Sequence, residues 1–144
     1  MAKILIVYGS TTGNTEMVAE QIMDLLEESS PELQDVADIN PEDFGKYDLL
    51  IMGSSTWDDG LLQADFRDFV NNNELDLSGK KVAVFGLGDS SYPDFCEAAT
   101  LLEEVVNKSG GELLLESLKL DGFPDEEENE EKIKVWCSNI KKKM

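Results

Sequence analysis

Apolar residues fall along this chain in two alternating rhythms, and the alternation predicts a fold. Ile4 to Tyr8 is a continuous β-branched and apolar run, the pattern of a strand buried on both faces. After a polar stretch, Met17, Val18, Ile22, Leu25 and Leu26 recur at helical spacing, up to a helix end near Ser29-Ser30-Pro31. A weak strand lies around Leu33 to Ile39 and a third runs from Asp48 to Gly53. Phe66, Phe69 and Val70 mark a short helix stopped by Asn71-Asn72-Asn73. A fourth strand, Lys81 to Gly86, precedes a helix from about Phe95 to Lys108 that Gly110-Gly111 ends. Leu113 to Leu120 gives a fifth strand, and Glu126 to Lys142 a closing helix.

Five strands alternating with helices, with no internal repeat and no linker, predict one α/β domain over residues 1–144. Its architecture is an open, doubly wound parallel sheet with helices on both faces. In such sheets ligands bind outside the carboxyl ends of the strands, near the point where strand order reverses. The segments after the first, third and fourth strands are therefore where function is sought.

After the first strand comes Gly9-Ser10-Thr11-Thr12-Gly13-Asn14-Thr15. A Gly/Ser/Thr turn between a strand and a helix aims backbone N–H groups and the positive end of the helix dipole at whatever sits above it. Asn14-Thr15 stands where a Walker A loop has Lys-Ser/Thr, and the spacing of Gly9 and Gly13 does not match the dinucleotide fingerprint. Hydroxyls, one amide side chain and N–H donors suit a phosphomonoester, whose oxygens accept many hydrogen bonds. The plain alternative is an ordinary helix start capped by Thr12 or Asn14.

After the third strand comes Ser54-Ser55-Thr56-Trp57-Asp58-Asp59-Gly60. After the fourth comes Gly86-Leu87-Gly88-Asp89-Ser90-Ser91-Tyr92-Pro93-Asp94-Phe95-Cys96. Trp57 and Tyr92 are large aromatics at an edge where core packing has no use for them, and each offers a flat apolar face. Together with the anion loop they point to a planar ring carried by a phosphate ester. The plain alternative is that both aromatics cover the sheet edge.

Composition narrows the chemistry. The chain has no histidine and two isolated cysteines, Cys96 and Cys137, which excludes imidazole-based catalysis, ordinary zinc sites and a disulfide framework. Side chains so poor in reactive groups shift any chemistry onto a bound cofactor. The net charge of -19, from 31 acidic and 12 basic residues, disfavours nucleic acid and anionic membranes. It suits basic patches on partner proteins, with association that weakens as salt rises. No apolar run approaches the roughly 20 residues of a membrane span. Met1-Ala2-Lys3 leads straight into the first strand, so no targeting segment and a cytoplasmic location are expected.

The three segments Gly-Ser-Thr-Thr-Gly-Asn-Thr, Ser-Ser-Thr-Trp-Asp-Asp and Gly-Leu-Gly-Asp-Ser-Ser-Tyr, in this order and spacing, resemble those of the flavodoxins. The likeness extends over essentially the whole chain. With no long insertion between Leu113 and Leu120, it is to the short-chain group. The resemblance implies a flavodoxin-like sheet of strand order 2-1-3-4-5 and a non-covalently bound flavin mononucleotide (FMN). It also implies low-potential, one-electron transfer as a monomer with iron-sulfur or flavin enzymes, with no catalytic residues and no metal.

Carried over by position, Ser10, Thr11, Thr12, Asn14 and Thr15 would hold the phosphate, and Gly13 would allow close backbone approach. Trp57 and Tyr92 would flank the ring, with main chain around Ser55, Thr56, Leu87, Gly88, Asp89, Phe95 and Cys96 along its edge and the ribityl chain. The three segments hold no cation but carry Asp58, Asp59, Asp89 and Asp94. A carboxylate roughly 7 Å from a reduced, anionic flavin would raise that state by about 2 kcal/mol at an effective dielectric near 20. Many members of the family have Gly directly after the aromatic, where this chain has Asp58. Aspartate tolerates unusual backbone angles less freely than glycine, so the one-electron state is expected to be less favoured here. Two other readings are an FMN-dependent quinone or nitro reductase on the same fold and a receiver domain, a fold mate, phosphorylated on Asp. The second needs acidic residues after the first strand, where Gly9-Ser10 stands.

Overall fold

The computed structural model describes residues 3–9, 13–57, 61–88, 97–121 and 126–143, with Thr56, Trp57 and Leu61 described through their backbone. Its regular elements are β1 (Ile4–Gly9), α1 (Asn14–Leu25), β2 (Glu32–Asp35), β3 (Leu49–Trp57), β4 (Leu61–Leu62) and α2 (Ala64–Asn72). They continue with β5 (Lys81–Gly88), α3 (Glu97–Lys108), β6 (Glu112–Leu113), β7 (Leu118–Asp121) and α4 (Glu127–Lys143). Short 3-10 turns at Glu27–Ser29, Val36–Asp38 and Pro41–Lys46 fill the connections.

The parallel strands run in the order β2-β1-β3-β5, and the far edge beside β5 is shared by β6 and β7. Counted as five lanes this is the expected 2-1-3-4-5 order. β4 is an addition that pairs antiparallel with the end of β3.

Every residue of β1 is buried, as a central parallel strand requires. Successive side chains go to opposite faces. Ile4, Ile6, Tyr8, Leu49, Ile51, Ala83, Phe85 and Leu87 pack with Val18 and Ile22 of α1 and Ile133, Trp136 and Ile140 of α4. Leu5, Val7, Leu50, Met52, Val82 and Val84 pack on the other side with Phe66 and Phe69 of α2 and Leu102 and Val106 of α3. Helix α4 begins with Glu127, Glu128 and Glu130 and ends with Lys141, Lys142 and Lys143, the charge order its dipole favours.

The structure corrects several expected boundaries. β3 runs on through Ser54, Ser55, Thr56 and Trp57, and β5 through Leu87 and Gly88, so polar residues expected in loops are strand. The reason is pairing: β4 extends the ladder of β3, and β7 that of β5. The weak second strand is β2 followed by a 3-10 turn at Val36–Asp38, which the Asp35 side chain caps by accepting the N–H of Ala37 at 2.9 Å. The fifth strand is interrupted between Leu113 and Leu118, where Trp136 of α4 donates its indole N–H to the carbonyl of Glu116 at 3.0 Å. Met17 is 41 % exposed and leaves the apolar stripe of α1.

Candidate functional site

Register places the three singled-out segments side by side. Gly9 of β1 lies opposite Ser54 of β3, Ser54 lies opposite Gly86 of β5, and Ser55 lies opposite Leu87. Neighbouring strands are about 4.8 Å apart, so the carboxyl ends of β1, β3 and β5 converge within about 10 Å. The order reverses here, because the chain goes outward from β1 to β2 and then returns to β3 on the other side.

The start of α1 leaves its first turn without a side-chain cap. Its N-cap is Gly13, in the left-handed conformation with φ 92°. Asn14 is not the cap residue, and Thr12 lies outside the described residues. Glycine adopts this backbone without strain and has no side chain to spend on the first-turn N–H groups. Thr15 is 1 % exposed, and its Oγ1 has no hydrogen-bond partner among the described residues. A buried hydroxyl of that kind costs stability unless something is meant to meet it. Asn14 beside it is half-buried.

The acidic side chain of this turn is held from below. Tyr8 donates its phenol to Glu16 at 3.2 Å, and burial together with the charge of Glu16 pushes that phenol up to about 12. At the neighbouring strand, Ser54 Oγ accepts the N–H of Gln63 at 3.0 Å and donates to the carbonyl of Ser55 at 2.9 Å. The pairs Thr56–Leu62 and Trp57–Leu61 close the hairpin above. Leu87 buries its side chain in the core and lies in register between Ser55 and Leu120, and Gly88 beyond it is half-buried.

Gly13, Asn14, Thr15, Ser55, Thr56, Trp57, Leu87 and Gly88 are thus brought to one edge. Ser10, Thr11, Thr12, Asp58, Asp59, Asp89, Tyr92, Phe95 and Cys96 lie outside the described residues. Tyr8, Glu16, Ser54 and Gln63 were not singled out by the sequence. A strand-end tyrosine eight residues before a glutamate, and a lone glutamine between Leu62 and a helix, are the faint signals that they left. Among the described residues no cluster of His, Cys, Asp and Glu could hold a metal ion, and no helix is long and apolar enough to cross a membrane.

Comparison with known proteins agrees with this geometry. The family model described as Flavodoxin matches residues 6–136. A flavodoxin of Maridesulfovibrio salexigens is 45 % identical, with 100 % of both chains covered. Probable flavodoxin 2 of Bacillus subtilis is 43 % identical over 99 % of this chain and 97 % of its own. The crystal structure of oxidised flavodoxin 2 from Bacillus cereus superposes with a TM-score of 0.94 at 42 % identity, covering 99 % of this chain and 100 % of that one.

Proposed function

The chain belongs to the flavodoxin family, and on that membership we propose that it works as a low-potential one-electron carrier with non-covalently bound FMN. It is an electron-transfer protein and not an enzyme. The observation that carries the cofactor reading is Thr15: a buried hydroxyl without a partner among the described residues, in the first turn of a helix whose cap is glycine. Hydroxyls and amides with no cation fit a phosphate monoester, which needs many donors.

Ser10, Thr11, Thr12, Asn14 and Thr15 would hold the phosphate, with Gly13 giving room for the backbone. Trp57 and Tyr92 would flank the ring, and Ser55, Thr56, Asp58, Asp59, Leu87, Gly88, Asp89, Phe95 and Cys96 would line its edge. When bound, FMN supplies a ring that takes up and releases electrons singly. The chain supplies the bias. Glu16 stands in the first turn of α1, and Asp58, Asp59, Asp89 and Asp94 lie in the adjoining segments, so negative charge added at this edge is opposed. Planar aromatics exclude water from the ring faces while leaving its rim open to a partner.

The partners we propose are redox proteins with basic docking surfaces, iron-sulfur or flavin enzymes, met by this chain as a cytoplasmic monomer. Support comes from the excess of 31 acidic over 12 basic residues, which leaves most carboxylates without a cation. Titrating the flavin-free protein with FMN tests the reading. One FMN per chain with quenched flavin fluorescence is expected, and a protein that ignores added FMN overturns it. The loaded protein is expected to oxidise NADH or NADPH no faster than free FMN does.

A further inference from the structure

A buried polar pair lies beneath the hairpin that brings Trp57 to the site, and the family reading gives it no task. Ser54 is 0 % exposed and Gln63 is 2 % exposed. Apolar side chains would fill such positions at less desolvation cost, so a satisfied polar pair here acts through the geometry it enforces. One hydroxyl, Ser54 Oγ, holds both ends of the hairpin, accepting from Gln63 N–H at 3.0 Å and donating to Ser55 C=O at 2.9 Å. Gln63 also caps α2, since its Oε1 accepts the N–H of Phe66 at 3.1 Å. That same oxygen packs against the end of β1: a Cβ on Gly9 would lie 2.5 Å from it. The pair therefore touches the ladder that carries Trp57 and the residue from which the anion loop departs.

We infer that Ser54 and Gln63 are positioning residues that lock the Trp57 hairpin to the end of β1, and thereby set the affinity of the ring site and the potential of the first electron. The inference rests on the FMN reading above. Removing the hydroxyl takes away the Ser54 acceptor of the Gln63 N–H and frees the hairpin to shift, while the residues of the first turn of α1 are unchanged.

The test is Ser54→Ala, with FMN and riboflavin affinities, the first-electron potential and the melting temperature measured together. Because the substitution removes no donor to the phosphate, both affinities are expected to fall by the same factor, about tenfold, and the first-electron potential to move. Ser54→Thr keeps the hydroxyl and is expected to restore both. Should Ser54→Ala fail to fold, Ser54→Cys fills the same space with weaker hydrogen bonds and is expected to show smaller losses in the same ratio. A lower melting temperature with unchanged riboflavin affinity and potential overturns the inference, because the pair then only stabilises the fold. Wild-type protein that binds neither FMN nor riboflavin overturns the flavin reading instead.

Discussion

Tyr8 donates its phenol to the carboxylate of Glu16 at 3.2 Å, which ties the end of β1 to the first turn of α1 across the anion loop. Hydrogen bonds to charged acceptors are worth about 1.5–3 kcal/mol when buried, and this one is only part-buried. Tyr8→Phe is expected to lower stability by about 1 kcal/mol in urea unfolding. It should also weaken FMN binding more than riboflavin binding, since only FMN has a phosphate for the loop to hold.

Thr15 gives a sharper separation of stability from binding. Its buried Oγ1 lacks a partner among the described residues, so Thr15→Val removes a cost without changing the volume much. The flavin-free variant is expected to be as stable as wild type or more so, by up to about 1 kcal/mol. FMN affinity should nevertheless fall about tenfold with riboflavin affinity unchanged. Paired thermal melts and fluorescence titrations check both halves.

Gly53 is fixed by packing and not by backbone freedom. A Cβ there would collide with the ring of Phe85, itself 0 % exposed and set edge-on to Trp136 at 6.3 Å. Gly53→Ala forces that ring to move inside a filled core and is expected to cost about 3 kcal/mol or more. Urea unfolding of the variant measures the loss.

Much of the fold is legible in the sequence because burial on both faces leaves unbroken apolar runs, as in Ile4–Tyr8 and Leu49–Met52. The strand order can likewise be read from the resemblance, and it brings the ends of β1, β3 and β5 together. Features made by partners distant in sequence escape such a reading. Ser54 to Thr56 are polar enough to look like loop, yet pairing of Ser54 and Ser55 with β5, and of Thr56 and Trp57 with β4, makes them strand. Within the break after Leu113, the carbonyl of Glu116 is met by the indole of Trp136, 20 residues away in sequence. Gln63 is a single polar residue whose neighbours, Ser54 and Gly9, lie on two other strands.

Alkaline pH is expected to destabilise this protein through groups that ionise less readily when it is folded. Tyr47, hydrogen-bonded to Glu32, and the partly desolvated Tyr8 both stand at about 12 against an ordinary 10.0, and burial lifts the Cys137 thiol from 9.0 to about 12. Such groups contribute fully below the unfolded value and lose that contribution as pH rises toward the folded one. Stability is expected to hold near neutrality and to decline between about pH 9 and pH 12. Tyr47→Phe should flatten the part of that decline above about pH 10, as read by urea midpoints across the range.

One-electron transfer here requires an FMN site that opposes added negative charge. Anaerobic potentiometric titration of the FMN-loaded protein, followed by absorption, tests it most directly. Two separated one-electron steps are expected, the second well below the potential of free FMN. A single two-electron step at the potential of free FMN would contradict the account.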